Sequence, residues 1–159
     1  MIRSQNRLRV CMVLLALNLA FIWGNSLLPG TVSGWISGQL SRILQQLLRP
    51  GQTGPVGGDH LLRKLAHGTE FACLGALLCW LDGMLAFHPV RTPLHALSGV
   101  LAAACADETI QLFVAGRGSS LIDVWIDTAG GAVGAAAVLT AALLVRRRRS
   151  GKQDTAEDA

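Results

Sequence analysis

Charged residues between two long apolar segments place the strongest constraint on how this chain can fold. The connecting stretch reads DETIQLFVAGRGSSLIDVWID and runs from Asp107 to Asp127. Its ionisable residues lie where lipid would surround a membrane helix, and they are Asp107, Glu108, Arg117, Asp123 and Asp127. Because each ionisable group at that depth costs about 2.5–3.5 kcal/mol on insertion scales, these side chains imply partners, water or a function.

The composition indicates a small integral membrane protein. The chain has 159 residues, of which 51% are hydrophobic and 15% charged, with a mean hydropathy of +0.43. A soluble domain of this size must cover its surface with more charge. The net charge of +4 comes from basic residues at segment ends and not from one basic face. The sequence therefore predicts membrane lipids, and no nucleic acid, as partners.

The apolar periodicity predicts an all-α fold, an integral membrane four-helix transmembrane bundle. We expect a transmembrane domain over residues 1–145, with spans at about 9–28, 60–81, 94–113 and 121–145. An extra amphipathic helix at about 32–48, between the first and second spans, is expected at the membrane interface or as a cap on the bundle. The basic and acidic tail at about 146–159 is predicted to be disordered. The first segment also resembles a signal peptide, but no small-x-small cleavage site follows it.

Basic residues predict the orientation of the bundle. Four spans place both termini on one side, and this side collects nine of the 14 Lys and Arg residues, the dense run of Arg146–Arg149 among them. The other side keeps Arg42, Arg49, Arg63, Lys64 and Arg117. The positive-inside rule then predicts a multi-pass protein of the bacterial cytoplasmic membrane with cytoplasmic N- and C-termini.

This topology brings three polar stripes to the outer leaflet. Lys64, His67 and Glu70 are successive i,i+3 neighbours, while Asp107 with Gln111 and Asp123 with Asp127 are i,i+4 pairs. Stripes turned towards lipid would be costly, so we expect them to face one another. The predicted ligand-binding residues are Lys64, His67, Glu70, Asp107, Glu108, Gln111, Arg117, Asp123 and Asp127.

Structural roles compete with this interpretation. Ser120 and Asp123 fit a capping box at the start of a helix. Arg117, between two glycines, could be a turn residue, and Lys64 could extend its ammonium group to the membrane surface. His67 and Glu70 could form a hydrogen-bonded latch. A purely structural polar network is thus an alternative to a binding site.

Metal and nucleophile signatures are weak in the sequence. One histidine with several carboxylates suits a hard or borderline divalent ion, but the chain has no HExxH motif and no Cys/His ligand spacing. The sequence alone therefore predicts no metal and no cofactor. Gly130 and Gly134 have the GxxxG spacing that lets helices approach closely, within the chain or in a homo-oligomer.

Two segments resemble the VanZ-like family of small bacterial membrane proteins. They are KLAHGTEFACLG from Lys64 to Gly75 and DETIQLFVAGRGSSLIDVWIDTAGGAVG from Asp107 to Gly134. The chain departs from the family at Ile110, where histidine is common, and at Asp127, where asparagine is common. The resemblance implies a cell-envelope role at the outer face of the membrane, since the namesake is associated with resistance to teicoplanin-type glycopeptides.

Four functions stay open at the level of sequence. The leading hypothesis is binding of a lipid-linked cell-wall precursor or lipoglycopeptide at the outer leaflet, which would alter glycopeptide or lipoglycopeptide susceptibility. The second is an intramembrane enzyme acting on a lipid head group, with His67, Glu70 and Asp107 as catalytic candidates. A small transporter or flippase and the purely structural network are the remaining two.

Overall fold

The structure, a computed structural model, describes residues 2–48 and 59–157. Within these residues it contains five α-helices and no β-strand. The helices are α1 (Ile2–Ser26), α2 (Gly30–Leu48), α3 (Asp59–Ala86), α4 (Arg91–Leu112) and α5 (Leu121–Glu157). The predicted all-α fold is confirmed for this part of the chain. Arg49, which contributes to the charge asymmetry, lies outside the described residues.

The helices are longer than the apolar runs that predict them. α1 begins at Ile2, α3 continues to Ala86, and α5 continues to Glu157. α5 thus includes residues up to 157 of the tail for which the sequence predicts disorder. Hydrophobicity marks the part of a helix that lipid can cover, whereas arginine, lysine, glutamine and alanine all favour a helix that continues beyond it.

Three described helices are long and apolar enough to cross a membrane. They contain the candidate spans Gln5–Ser26, Arg63–Ala86 and Leu121–Arg148. α4, the third of the four predicted spans, is not among them. Its last turns carry Asp107 and Glu108, which reduce its apolar character.

α3 and α5 run parallel to each other and approach most closely, because glycines line their contact. A Cβ on Gly130 would overlap the backbone of Gly68, and one on Gly134 would overlap the carbonyl of Ala72. The same holds for Gly75 against the carbonyl of Gly131. This is the small-residue packing that the GxxxG spacing predicts. Since α3 occupies this face, a homo-oligomer through Gly130 and Gly134 would first have to displace it.

The apolar core lies between α1, α3, α4 and α5. Ile22, Phe71, Leu74 and Val100 are fully or almost fully buried in it. Large apolar side chains also cover the outside of the helices: Leu17 is 62% exposed and Val133 68% exposed. Exposed apolar surface around an equally apolar core is expected of helices that lie in lipid.

A helix, α2, lies at the position predicted for the amphipathic helix. It starts directly after the Pro29 turn, and its backbone is joined to the α4–α5 loop by a hydrogen bond from the Gly30 N–H to the carbonyl of Ala115, 3.1 Å long. Trp35 on this helix is 64% exposed. Its location at the membrane interface stays a prediction.

Candidate functional site

Four helices place their polar residues at one end of the bundle, which we call the polar end. It consists of the last turn of α1, the first turns of α3 and α5, the last turns of α4 and the loop 113–120. A cavity of about 380 Å³ opens there. Its lining is formed by Arg63, Lys64, His67, Glu108, Gln111, Gly116, Arg117, Gly118, Ser120, Asp123, Ile126 and Asp127. Residues of all three polar stripes thus meet at this end, although Glu70 and Asp107 do not line the cavity.

Arg117 joins the α4–α5 loop to the end of α1. Its Nε donates to the carbonyl of Leu28 at 3.1 Å, and its Nη2 donates to the carbonyl of Asn25. Gly116, with a φ of 73°, supplies the left-handed residue that turns the loop towards α1. Asn25 lies in the last turn of α1 and Leu28 just beyond it, so both bonds hold the loop against the end of this helix. The guanidinium is thus held in a fixed position beside the cavity.

One nitrogen of the Arg117 guanidinium stays available to a hydrogen-bond acceptor. Its Nη1 is buried and has no hydrogen-bond partner among the described residues. Burial lowers the pKa of Arg117, as does Arg63, while Asp107 and Glu108 oppose this shift. Arginine starts so high that it keeps its charge at any physiological pH. A charged donor is therefore presented at a position where an acceptor group could bind.

Gln111 connects the carboxylates of α4 to α1. Its Nε2 donates to Asp107 Oδ2 at 2.8 Å and lies 3.4 Å from both Glu108 Oε1 and Ser26 Oγ. Asp107, Glu108, Gln111 and Ser26 are all buried. The predicted i,i+4 partnership of Asp107 and Gln111 thus forms, and it fixes the direction in which the Asp107 carboxylate points.

The start of α5 resolves the capping-box alternative. Ser120 Oγ accepts the N–H of Ile122 at 3.2 Å, as an N-cap residue does. The N–H of Ser120 donates to Glu108 Oε2 at 2.7 Å, so α4, and not Asp123, supplies the reciprocal carboxylate. Asp123 instead forms an ion pair with Lys64, with 3.1 Å between Nζ and Oδ1. Glu108 therefore has a structural role, and Lys64 is engaged by a carboxylate.

His67, Asp107 and Asp127 form a compact group between α3, α4 and α5. One ligand atom from each residue lies within 4.8 Å of the other two. Asp107 is 0% exposed and Asp127 1% exposed. His67 Nδ1 and the Oδ1 atoms of both aspartates have no hydrogen-bond partner in the described part of the chain. These are the residues that could hold a metal ion.

Glu70 lies apart from this group. Its Oε1 accepts a hydrogen bond from Asn25 Nδ2 at 3.1 Å, and its backbone carbonyl lies 3.4 Å from Asn18 Nδ2. The side chain is directed at α1 and does not line the cavity. Glu70 thus forms an interhelical hydrogen bond with Asn25 of α1, of the kind that the alternative of a latch describes.

Seven of the nine predicted ligand-binding residues line the cavity, Asp107 lies directly behind it, and Glu70 lies against α1. Their binding role stays a prediction. Sequence reasoning missed Arg63, which lines the cavity, and Asn25 and Ser26, which position its residues. Arg63 precedes His67 by one helical turn, and Asn25-Ser26 interrupts an otherwise apolar segment. Both signals were present in the sequence.

Comparison with known proteins identifies a family for this chain. The sequence model of the family described as VanZ/LLP1 matches residues 8–144, which include every residue of the polar end discussed above. No curated protein and no solved structure matches the chain. The match covers most of the sequence, and the chain belongs to the VanZ/LLP1 family.

Proposed function

We propose that the protein binds the anionic head group of a lipid-linked cell-envelope molecule in the polar-end cavity, at the outer face of the bacterial cytoplasmic membrane. The observation that carries this proposal is the buried, partnerless Nη1 of Arg117 beside the cavity. Arg63 adds a second cation that forms no ion pair within the described residues. Arginine donors in a fixed position suit a phosphate or carboxylate.

The surroundings of the cavity suit a ligand with a long apolar chain. Leu121, Ile122 and Trp125 on the first turns of α5 are 81%, 65% and 72% exposed, and Phe113 at the end of α4 is 86% exposed. A polar cavity with an exposed apolar rim matches a charged head group joined to a hydrocarbon chain. We therefore favour a lipid-linked ligand over a soluble anion.

Four spans and cytoplasmic termini complete the proposal. α4 has 22 residues and is about 33 Å long at 1.5 Å per residue, enough to cross a hydrocarbon core of about 30 Å. Its carboxylates Asp107 and Glu108 are buried inside the bundle, so they lower its hydropathy without facing lipid. This supports α4 as the span that a hydropathy criterion overlooks.

Cysteine labelling tests this topology in intact cells. In a variant without native cysteines, Ser119→Cys in the α4–α5 loop should react with a membrane-impermeant thiol reagent. Val90→Cys, in the loop between α3 and α4, is the matched control because it is also exposed but lies at the other end of the bundle. It should react only after permeabilisation. If Val90→Cys reacts in intact cells and Ser119→Cys is protected, the bundle has the opposite orientation, which would contradict the proposal.

Lipid binding tests the site itself. Native mass spectrometry of the detergent-purified protein would compare a polyprenyl phosphate with the uncharged polyprenol of the same chain length. We expect retention of the phosphate form, and Arg63→Gln should weaken it about tenfold, since a hydrogen bond to a charged group contributes about 1.5–3 kcal/mol. Arg91→Gln removes the same charge from an exposed position at the other end and should leave binding unchanged.

Equal retention of the two lipids, or equal loss in both arginine variants, would contradict head-group binding. In cells, the proposal further predicts that loss of Arg63 abolishes any change in teicoplanin-type susceptibility that the wild-type protein causes. The Arg63 variant and the wild type are compared at equal protein levels. If antibiotic susceptibility and surface binding of the antibiotic do not change, this chain does not have the resistance role of the family's namesake.

The second candidate function is an enzyme acting on the same head group. It is favoured by the proximity of His67 and Asp107 to the cation-lined cavity. His67 would act as general acid or base, with Asp107 rather than Glu70 as its partner, because Glu70 bonds to Asn25. His67→Gln should then abolish turnover of the bound lipid while its retention survives. An unchanged cell phenotype in this variant would exclude the enzyme.

A further inference from the structure

The group of His67, Asp107 and Asp127 contains more negative charge than the described structure compensates. Both aspartates are buried, and no Lys or Arg side chain of the described residues lies within 4.0 Å of either carboxylate. Lys64 is paired with Asp123 instead. Two buried carboxylates this close repel each other unless a proton or a cation lies between them.

The three side chains of the group lie close enough to share a ligand. The Oδ1 atoms of the two aspartates and Nδ1 of His67 are buried without hydrogen-bond partners among the described residues. One ligand atom from each side chain lies within 4.8 Å of the others. Ligand atoms at about 2.0–2.2 Å from one metal ion are about 3–4 Å apart, so small side-chain rotations would bring all three to a shared ion.

Neighbouring contacts hold the group in the way that metal ligands are held. Gln111 donates to Asp107 Oδ2 at 2.8 Å and so orients this carboxylate. Hydrogen bonds of this kind around a ligand are typical of metal sites. His67 and Asp127 line the cavity, so an ion bound between the three residues would have an open side towards it.

We propose that His67, Asp107 and Asp127 bind one divalent transition-metal ion, of the class of Zn²⁺ or Mn²⁺. An imidazole favours such ions over Mg²⁺ and Ca²⁺, and the two carboxylates balance the charge of the ion. Three protein ligands with an open side are typical of sites at which a metal also contacts a ligand or water. The linear spacing did not indicate this site, because its three residues come from three different helices.

The site can be tested without knowledge of the lipid. Full-length protein, purified in detergent without a polyhistidine tag, is loaded with Zn²⁺ or Mn²⁺, desalted and analysed by inductively coupled plasma mass spectrometry. We expect about one ion per chain. Asp107→Asn, Asp127→Asn and His67→Gln should each lower the affinity at least about tenfold, consistent with the loss of one ligand.

Two variants serve as matched controls. Asp123→Asn removes a carboxylate that lines the same cavity but is paired with Lys64, and His95→Gln disrupts the exposed His95–Asp82 pair. Both should keep the ion. No stoichiometric binding by the wild type, or binding that survives in all three ligand variants, would overturn the proposal. So would a loss of the ion in His95→Gln equal to that in His67→Gln.

A spectroscopic measurement covers the case in which a ligand variant fails to fold. The chain has four histidines, so replacement of His60, His88 and His95 by glutamine leaves His67 alone. Pulsed electron paramagnetic resonance of this triple variant with Mn²⁺ should show ¹⁴N coupling from one imidazole. Bound Mn²⁺ without nitrogen coupling would overturn the assignment of His67 as a ligand.

Discussion

The two ends of the bundle use the same residue types in opposite ways. At the end opposite the polar end, His95 Nδ1 and Asp82 Oδ1 lie 3.2 Å apart, and the histidine side chain is 66% exposed. At the polar end, Asp107 and Asp127 are buried beside His67, and each keeps one oxygen without a partner among the described residues. An exposed ion pair loses little hydration free energy and adds little to stability, whereas a buried charge without a counter-ion lowers stability. The comparison favours our proposal that the buried aspartates beside His67 are kept for a ligand, while Arg117 and Glu108 of the same end join the helices to one another.

Disrupting the contact of α3 with α5 should give the largest effect, because this contact brings His67 next to Asp127. Gly130→Ala forces a methyl group into the backbone of Gly68 and should destabilise the protein by about 3 kcal/mol, the upper part of the range for overpacking. Gly68→Ala is the matched control, since its methyl group meets nothing within 4 Å. It should be neutral or stabilising by up to about 1 kcal/mol. Denaturant unfolding in detergent measures both, and equal effects would show that the close approach does not hold the polar end together.

Replacement of Arg117 should have the next largest effect on the free energy of unfolding. Arg117→Gln removes two charge-assisted hydrogen bonds to the carbonyls of Asn25 and Leu28, and we expect a loss of about 2 kcal/mol. Arg91→Gln, at an exposed position of the other end, should change stability by less than about 0.5 kcal/mol. The same unfolding assay compares them. A loss in Arg117→Gln no greater than in Arg91→Gln would mean that the loop is held to α1 by other contacts.

The half-exposed ion pair of the polar end should give the smallest effect. Lys64 and Asp123 are 37% and 34% exposed, so solvent screening limits their coupling to about 0.5–1 kcal/mol. A double-mutant cycle with Lys64→Gln and Asp123→Asn measures this coupling energy. The corresponding cycle for Asp82 and His95 should give a smaller value, because the His95 side chain is 66% exposed and solvent screens the pair more strongly. A larger value there would contradict the ranking of the two ends.

The sequence predicted the fold class and most of the residues at the polar end, for reasons that are local. Hydrophobic runs indicate helices, and i,i+3 or i,i+4 spacing shows which side chains share a face. Alternating helix directions then bring Lys64, Arg117 and Asp123 to the same end. These steps need only the order of the segments and their lengths.

The partners within the site could not be predicted, because they depend on helix rotation and on which neighbour is closest. Asp123 fitted a capping box, yet Glu108 from α4 reaches the Ser120 N–H and leaves Asp123 to Lys64. Glu70 shares a stripe with His67, but Asn25 on α1 binds it. Apolar character also set the predicted ends of α1 and α5, although a helix can continue into water when its residues favour it.

Thermal unfolding of Asp127→Asn in the presence of a chelator tests the central claim most directly, with Asp82→Asn as the control. If the carboxylate of Asp127 is kept for a ligand, its replacement by a neutral amide of the same shape should stabilise the ligand-free protein by about 1 kcal/mol. Asp82→Asn should leave stability unchanged or slightly lower, because Asp82 already has a partner in His95. A melting temperature of Asp127→Asn below that of the wild type would contradict the account and identify the buried carboxylates as part of a structural network.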